Sequence, residues 1–179
     1  MRVIAGTRGG RRLVTPPGAA TRPTADRVRE ALFSTLGPLD GLAVLDLFAG
    51  SGALGIESLS RGAAVATFVD SAPRAVDAVR ANLAALDLGD RAEVHRQDAR
   101  AFLRTARGAP DAYDLVFLDP PYRLALGLGP ELSEALPGVL SPGARVVSES
   151  DRRSPLDLQL PLTHERRYGD TIIRIHGTQ

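Results

Sequence analysis

The sequence has 179 residues, of which 44% are hydrophobic and 24% charged, with a formal net charge of +1. These values are typical of one soluble globular domain, and no apolar stretch approaches the roughly 18 residues of a membrane span. Cysteine is absent, which excludes disulfides, thiolate metal sites and cysteine nucleophiles. The three histidines show no metal-ligand spacing, so we expect a cytoplasmic protein without a metal.

The charge is concentrated at the N-terminus. All 22 basic residues are arginines, and seven of them fall in the first thirty residues against two acidic ones, a local charge of +5. Such a segment is typical of contacts with nucleic-acid phosphates, although it can also be a solvated surface. Residues 2–5 and 11–15 predict two short strands, so we divide the chain into a basic hairpin extension, 1–20, and one domain, 21–179.

Helix and strand patterns alternate after this extension. Thr24 is a plausible N-cap of a helix that Gly37-Pro38 ends. Strands are then predicted at 43–48, 65–70, 92–97, 113–118 and 145–149, and helices at 53–61, 73–87, 99–106 and 131–140. Two more strands are predicted around Tyr168-Gly169-Asp170, and the segment 123–135 has no pattern that we can assign. This alternation predicts an α/β fold with a mostly parallel sheet, helices on both faces and ligands at the carboxyl ends of the strands.

A glycine-rich loop from Gly50 to Gly55 follows the first of these strands and matches the pattern G-x-G-x-x-G. The loop, with Asp70 at the end of the next strand, suits either a dinucleotide or S-adenosylmethionine, since an acidic residue there binds a ribose. Asp46, inside the preceding strand, would repel a pyrophosphate but could bind an ammonium group. Asp98 ends the third strand, where it could accept a hydrogen bond from an adenine amine. Together these carboxylates favour S-adenosylmethionine.

The tetrapeptide Asp119-Pro120-Pro121-Tyr122 closes the apolar strand predicted at 113–118. It could be a simple turn, because Asp and Pro are common turn residues. It also suits the exocyclic amine of a nucleobase, a poor nucleophile whose lone pair is delocalised into the ring. Asp119 and the Pro120 carbonyl could accept the amine protons in a stiff diproline backbone, and Tyr122 could stack on an unpaired base.

Several segments carry a family resemblance. Val44-Leu45-Asp46-Leu47-Phe48-Ala49-Gly50-Ser51-Gly52 resembles the cofactor motif of class I methyltransferases, and Asp119-Pro120-Pro121-Tyr122 resembles their amino-methylating signature. Three others are similar to the RsmD-like family of bacterial 16S rRNA guanine-N2-methyltransferases: Arg22 to Phe33, Gly9-Gly10-Arg11-Arg12 and Tyr168-Gly169-Asp170-Thr171. The resemblance spans nearly the whole chain. It implies a Rossmann-like class I methyltransferase fold with a seven-stranded sheet, S-adenosyl-L-methionine as cofactor, and methylation of a guanine N2 amine in 16S rRNA or the 30S particle. We expect the protein to be a monomer.

The resemblance also implies roles for individual residues. Asp119 and Pro120 would hold the amine, and Tyr122 would stack on the guanine. The cofactor would contact Asp46, Phe48, Gly50, Gly52, Asp70, Asp98 and Ala99. The substrate would contact Arg11, Arg12, Arg22 and Thr24. A cap or turn is the alternative role for Asp46 and Asp98, and an ordinary N-cap for Thr24.

Three other functions stay open at this point. A DNA adenine-N6 methyltransferase could use the same tetrapeptide, although the chain has no room for a separate DNA-recognition domain. An RNA-binding assembly factor could retain the fold without turnover, although the motif residues are intact. A dinucleotide oxidoreductase is the third, but Asp119-Pro120-Pro121-Tyr122 has no role in hydride transfer.

Overall fold

The structure, a computed structural model, describes residues 1–16, 23–106 and 112–178, and only the backbone of 23–25 and 122–126. The helices are α1 (Pro23–Leu36), α2 (Ala53–Ser60), α3 (Pro73–Ala85), α4 (Ala99–Ala106) and α5 (Tyr122–Ala135). The strands are β1 (Ala43–Asp46), β2 (Val65–Asp70), β3 (Ala92–Arg96), β4 (Tyr113–Leu118), β5 (Leu140–Asp151), β6 (Leu162–Tyr168) and β7 (Thr171–Gly177). In this described part of the chain, no helix is long and apolar enough to cross a membrane.

The strands form one seven-stranded sheet in the order β3-β2-β1-β4-β5-β7-β6. β1 to β5 are parallel, whereas β7 runs antiparallel to both β5 and β6. This topology confirms the predicted mostly parallel sheet. The chain moves outward from β1 in one direction and from β4 in the other, so the switch point between β1 and β4 is where an open α/β sheet binds its ligand.

Helices cover both faces of the sheet. On one face, α1, α2 and α3 pack over a core that includes Phe33, Ile56 and Val79. On the other face, α4 and α5 pack over a second core that includes Leu103 and Leu132. Because both faces are covered, the central strands are apolar at nearly every position, and this accounts for the continuous apolar runs in the sequence.

The N-terminal extension is a hairpin with less strand than the sequence predicts. Its antiparallel pairing is a single bridge between Arg2 and Arg12, and a 3-10 turn (Gly6–Arg8) occupies its tip. The predicted strands at 2–5 and 11–15 are therefore wrong in extent. The segment is held by its contacts with the body instead: Val3 and Leu13 are buried in the core under α1.

The region around α5 also differs from the prediction. The structure has a helix at Tyr122–Ala135, a 3-10 turn at Leu136–Gly138 and a strand from Leu140 onward, where we expected a helix over 131–140 and a strand over 145–149. The predicted boundaries are wrong because Gly127, Gly129 and Pro130 interrupt the apolar pattern of the helix. Gly129 has a packing role, since a Cβ there would lie 2.1 Å from the Asp157 carbonyl oxygen.

Candidate active site

The glycine-rich loop and the diproline segment are neighbours at the carboxyl edge, the edge at which β1 to β5 end. Asp46 at the end of β1 pairs with Phe117 of β4. One residue further along, the Leu47 N–H donates to the Phe117 carbonyl at 3.1 Å. The loop that follows β1 and the tetrapeptide that follows β4 therefore leave the sheet side by side.

Gly50 and Gly52 both adopt positive φ angles, +56° and +78°, which a residue with a side chain rarely tolerates. A Cβ on Gly52 would lie 3.2–3.4 Å from three side chains, whereas one on Gly50 would meet only the Phe48 carbonyl oxygen, at 4.0 Å. Gly55 allows α2 to approach the sheet, because its Cβ would lie 2.3 Å from the Phe68 ring. The loop thus packs tightly against the core at Gly52 and Gly55, whereas the space beside the backbone of Gly50 is free.

Asp70 at the end of β2 is tied to this loop. One of its carboxylate oxygens accepts the Gly50 N–H at 2.9 Å, and the other accepts the Ala72 N–H at 2.8 Å. Each oxygen has a second lone pair, so the carboxylate can still accept hydrogen bonds from a ligand. Asp70 therefore positions the loop and can also contact a hydroxyl bound above it.

Asp98 begins α4 and caps it. Its carboxylate accepts the backbone N–H groups of Arg100 and Ala101, at 3.0 and 3.2 Å. Burial opposes ionisation, but the hydrogen bonds from the Arg100 side chain and these backbone groups outweigh it and lower the pKa of Asp98. The side chain is exposed, whereas Ala99 is buried and Phe48 packs partly buried against the same core. Capping is thus a demonstrated role of Asp98.

Asp46 is the most unusual group at this edge. Its side chain is 1% exposed, and one carboxylate oxygen accepts the Gly55 N–H at 3.1 Å. The other oxygen is buried without a hydrogen-bond partner in the described part of the chain. Burial raises the pKa of Asp46 to about 7, and the charge of Asp70 acts in the same direction. A buried carboxylate oxygen without a partner fits a cationic ligand beside the glycine loop.

Asp119 lies on the same side of the sheet as Asp46. Side chains alternate along a strand, and Val44 and Phe117, two residues before the two aspartates, both belong to the core under α1. The Asp119 side chain is exposed to solvent. Burial, followed by the charges of Glu149 and Asp46, raises its pKa.

The diproline backbone leads directly from Asp119 into α5. Pro120 is buried, and Pro121 is the N-cap residue of α5, with φ −53° and ψ 135°. Tyr122 is the first residue of α5, and its side chain lies outside the described atoms. The predicted catalytic segment is thus a short rigid connection from β4 to α5 at the carboxyl edge.

Glu149 is a third carboxylate here, and sequence reasoning missed it. It lies on β5, next to β4, and is partly buried. Burial raises the pKa of Glu149, and the positive charge of Arg29 opposes this shift. The available signal was an acidic residue at the carboxyl end of the predicted strand 145–149, next to the diproline strand in the predicted sheet. In residues 1–16, 23–106 and 112–178, there is no group of three or more His, Asp or Glu that could hold a metal ion.

Helix α1 packs on the same side of the sheet as this cluster and contributes a cation, Arg29, whose charge acts on Glu149. The Leu36 carbonyl at its C-terminal end accepts a bond from Arg145, four residues before Glu149 on β5, so α1 begins nearer the carboxyl edge. Arg29, 5% exposed, bonds the Asp26 carboxylate and the Arg2 carbonyl. The backbone of Thr24 lies in the first turn of α1, whereas Arg22 lies outside the described residues.

Two arginines of the N-terminal hairpin, Arg8 and Arg11, contact the far end of α3. Arg11 donates to the Ala85 carbonyl at 2.9 Å and Arg8 to the Leu86 carbonyl at 2.6 Å. These carbonyls lie at the C-terminal end of α3, which returns from the carboxyl edge to the opposite edge of the sheet. The structure therefore does not bring Arg11 close to Asp119. Arg12 is exposed in its bridge with Arg2.

The sequence profile of the family described as "Conserved hypothetical protein 95" matches residues 1–177. The chain is 40% identical over 185 residues to "Putative rRNA methyltransferase YlbH" of Bacillus subtilis, covering 98% of each protein. It is 44% identical over 127 residues to "Ribosomal RNA small subunit methyltransferase D" of Escherichia coli, covering 70% of this chain and 62% of that protein. The solved structure of "Putative methyltransferase yhhF" from Escherichia coli has 36% identity and a TM-score of 0.84, and covers 100% of this chain and 98% of its own. The chain therefore belongs to the "Conserved hypothetical protein 95" family, the RsmD family of methyltransferases.

Proposed function

We propose that this protein transfers a methyl group from S-adenosylmethionine to the N2 amine of a guanine in small-subunit rRNA. The observation that supports this most is the juxtaposition at the switch point of the sheet. A glycine-rich loop with an unpartnered buried carboxylate oxygen adjoins the Asp119-Pro120 corner. The family relationship supports the reaction class, and the named relatives support rRNA as the substrate class.

The cofactor would lie along the ends of β1, β2 and β3. Asp46 would face its ammonium group, the open backbone at Gly50 and Gly52 would face its methionine part, and Asp70 would bind the ribose hydroxyls. Phe48, Asp98 and Ala99 would border its remaining parts, the last two near the adenine. When bound, S-adenosylmethionine supplies an electrophilic methyl group on a sulfonium.

The chain's own part in the reaction is to position the amine. The Asp119 carboxylate and the Pro120 carbonyl would accept the two N–H bonds of the amine, which turns the nitrogen lone pair toward the methyl carbon. Bound S-adenosylmethionine would supply the methyl group and keep the electrons of its C–S bond, and the extra proton of the methylated amine would leave to solvent. Orientation of this kind can lower the activation free energy by about 7–11 kcal/mol. Tyr122 would stack on the base.

The target guanine would be unpaired or flipped, because the amine of a base inside a helix cannot reach the end of β4. Arg11, Arg12, Arg22 and Thr24 would contact the RNA. A monomer acting in the cytoplasm on naked 16S rRNA or on the 30S particle is part of the same proposal. The two RNA substrates differ only in which surfaces around the guanine are available.

A methyl-transfer assay with tritiated cofactor tests the proposal. Wild-type protein should label 30S particles or 16S rRNA and not duplex DNA, and mass spectrometry of the digested RNA should find N2-methylguanine. Asp119→Ala should lose at least about 100-fold in rate while cofactor affinity in calorimetry stays within a few-fold. Asp90→Ala, in an exposed turn, is the matched control. Full activity of Asp119→Ala, or labelling of DNA alone, would contradict the proposal.

A further inference from the structure

Glu149 has no task in the mechanism above, yet it lies within the proposed site. Ser148 of β5 pairs with Leu118, the last residue of β4, so Glu149 on β5 lies beside Asp119, the first residue after β4. The backbones of adjacent strands are about 4.8 Å apart. Val147 and Phe117, two residues earlier, both belong to the core under α1. Glu149 therefore faces the same side of the sheet as Asp119.

A structural ion pair does not account for this carboxylate. Arg29 is the cation that acts on Glu149, but its guanidinium bonds the Asp26 carboxylate and the Arg2 carbonyl. In the described ranges of the chain, the Glu149 carboxylate makes no hydrogen bond and no salt bridge. Its neighbours on the strands to either side are the acidic Asp119 and the apolar Ile173 of β7. A partly buried carboxylate with unused acceptor capacity thus remains beside the base-binding corner.

The chemistry of nucleobases indicates what such a carboxylate would read. Asp119 and the Pro120 carbonyl accept protons from an exocyclic amine, which adenine, cytosine and guanine all possess. The neighbouring ring nitrogen differs: in guanine N1 carries a hydrogen, whereas in adenine N1 and in cytosine N3 carry a lone pair. A second acceptor beside the amine-binding corner therefore attracts guanine and repels the other two bases.

We propose that Glu149 determines base specificity by accepting the N1–H of the target guanine while Asp119 and Pro120 hold the N2 amine. This inference rests on the proposed function. It adds the choice of guanine over adenine and cytosine, which the tetrapeptide alone does not make. Glu149 acts on the edge of the base and forms no covalent bond. Its loss should therefore change which base is accepted as well as the rate.

The test compares guanine with 2,6-diaminopurine, which keeps the 2-amino group but has a lone pair at N1. Each base is placed by splint ligation at the guanine that the wild-type protein methylates, and the rRNA is assembled into 30S particles. Wild-type protein should favour guanine by at least about 100-fold in kcat/KM. Glu149→Gln can turn an amide N–H toward the N1 lone pair. This variant should lose about 10- to 100-fold in kcat/KM on guanine without a matching loss in kcat/KM on diaminopurine.

Two controls separate specificity from structure. Glu93→Gln is the same substitution on an exposed side chain of β3, and it should leave kcat/KM unchanged on both substrates. Glu149→Ala removes the acceptor without adding a donor, and should also reduce the preference for guanine. Calorimetry should find cofactor affinity within about threefold of wild type in all variants.

The outcomes are distinct. A preference for guanine that is unchanged in both Glu149 variants, whatever their rates, would overturn the role of Glu149. Failure of the wild-type protein to methylate any guanine of small-subunit rRNA would instead overturn the proposed function, and the inference with it. If the wild type is active and the ratio of kcat/KM on guanine to kcat/KM on diaminopurine falls at least tenfold in Glu149→Gln, the result would support both the proposed function and the role of Glu149.

Discussion

The substitution Asp46→Asn should make the cofactor-free protein more stable at alkaline pH and less stable at acid pH. Burial raises the pKa of Asp46 from its ordinary value of 3.8 to about 7. Between these values the folded protein keeps a proton that the unfolded chain has released, so the free energy of unfolding falls as pH rises. Above pH 7 both states are ionised and this decrease ends.

The expected magnitude follows from the pKa difference. Each pH unit across this window lowers the free energy of unfolding by about 1.4 kcal/mol, or about 4 kcal/mol in all. An asparagine can still accept the Gly55 N–H, but its buried amide hydrogens lack an acceptor, which costs about 1–3 kcal/mol. The wild type has already lost about 1 kcal/mol by pH 4.5, so the variant should be about 0–2 kcal/mol less stable than wild type there and about 1–3 kcal/mol more stable at pH 8.5.

Urea denaturation at half-unit steps from pH 4.5 to 8.5 measures this difference. The pKa values of Asp119 and Glu149 are also raised, but both proteins carry these residues, so their effect largely cancels. Asp90→Asn, in an exposed turn, serves as the control for the substitution itself. Parallel stability curves for Asp46→Asn and wild type would refute the assignment of a high pKa to Asp46.

Three further predictions follow from the same contacts. Binding of S-adenosylmethionine at pH 7 should release up to about half a proton, because Asp46, with a pKa of about 7, is about half protonated there and an ammonium beside it favours the ionised carboxylate. Calorimetry in buffers of different ionisation enthalpy measures this release, and Asp46→Asn should abolish it. Glu57→Ala should destabilise the protein by about 3–5 kcal/mol in urea denaturation, since the buried Glu57 carboxylate accepts two backbone N–H groups of the N-terminal hairpin and a guanidinium. Replacing Arg11 and Arg12 by Ala should weaken rRNA binding and make its salt dependence shallower; an unchanged slope in filter binding would remove the hairpin from RNA recognition.

The sequence predicts the centre of the sheet well because burial on both faces leaves a distinct pattern. β1, β2 and β4 are apolar at nearly every position, and each ends at or just before an acidic residue whose chemistry fits the carboxyl edge. Because parallel strands end at one edge of a sheet, the strand pattern is enough to predict that Asp46, Asp70 and Asp119 share that edge. The side on which each lies follows from alternation along the strand.

The features that sequence reasoning missed depend on contacts between distant segments. α5 is helical despite Gly127, Gly129 and Pro130, because Leu128 and Leu132 on one face are buried against the sheet. Its local propensity is poor, and tertiary packing decides the outcome. The N-terminal hairpin is anchored by Glu57, more than fifty residues away, so its short strands need few hydrogen bonds of their own.

The carboxylate cluster is best understood as an arrangement that folding alone would not favour. Asp46, Asp119 and Glu149 lie at the ends of three adjacent strands on one side of the sheet, and burial raises the pKa of each. Such groups destabilise an empty protein near neutral pH, yet they are well suited to a ligand that carries a sulfonium, an ammonium and amine N–H donors. Because a ligand that binds only the folded state stabilises it, bound cofactor should offset much of this cost. Local instability at this edge is therefore what a site built for a cation and a base amine requires.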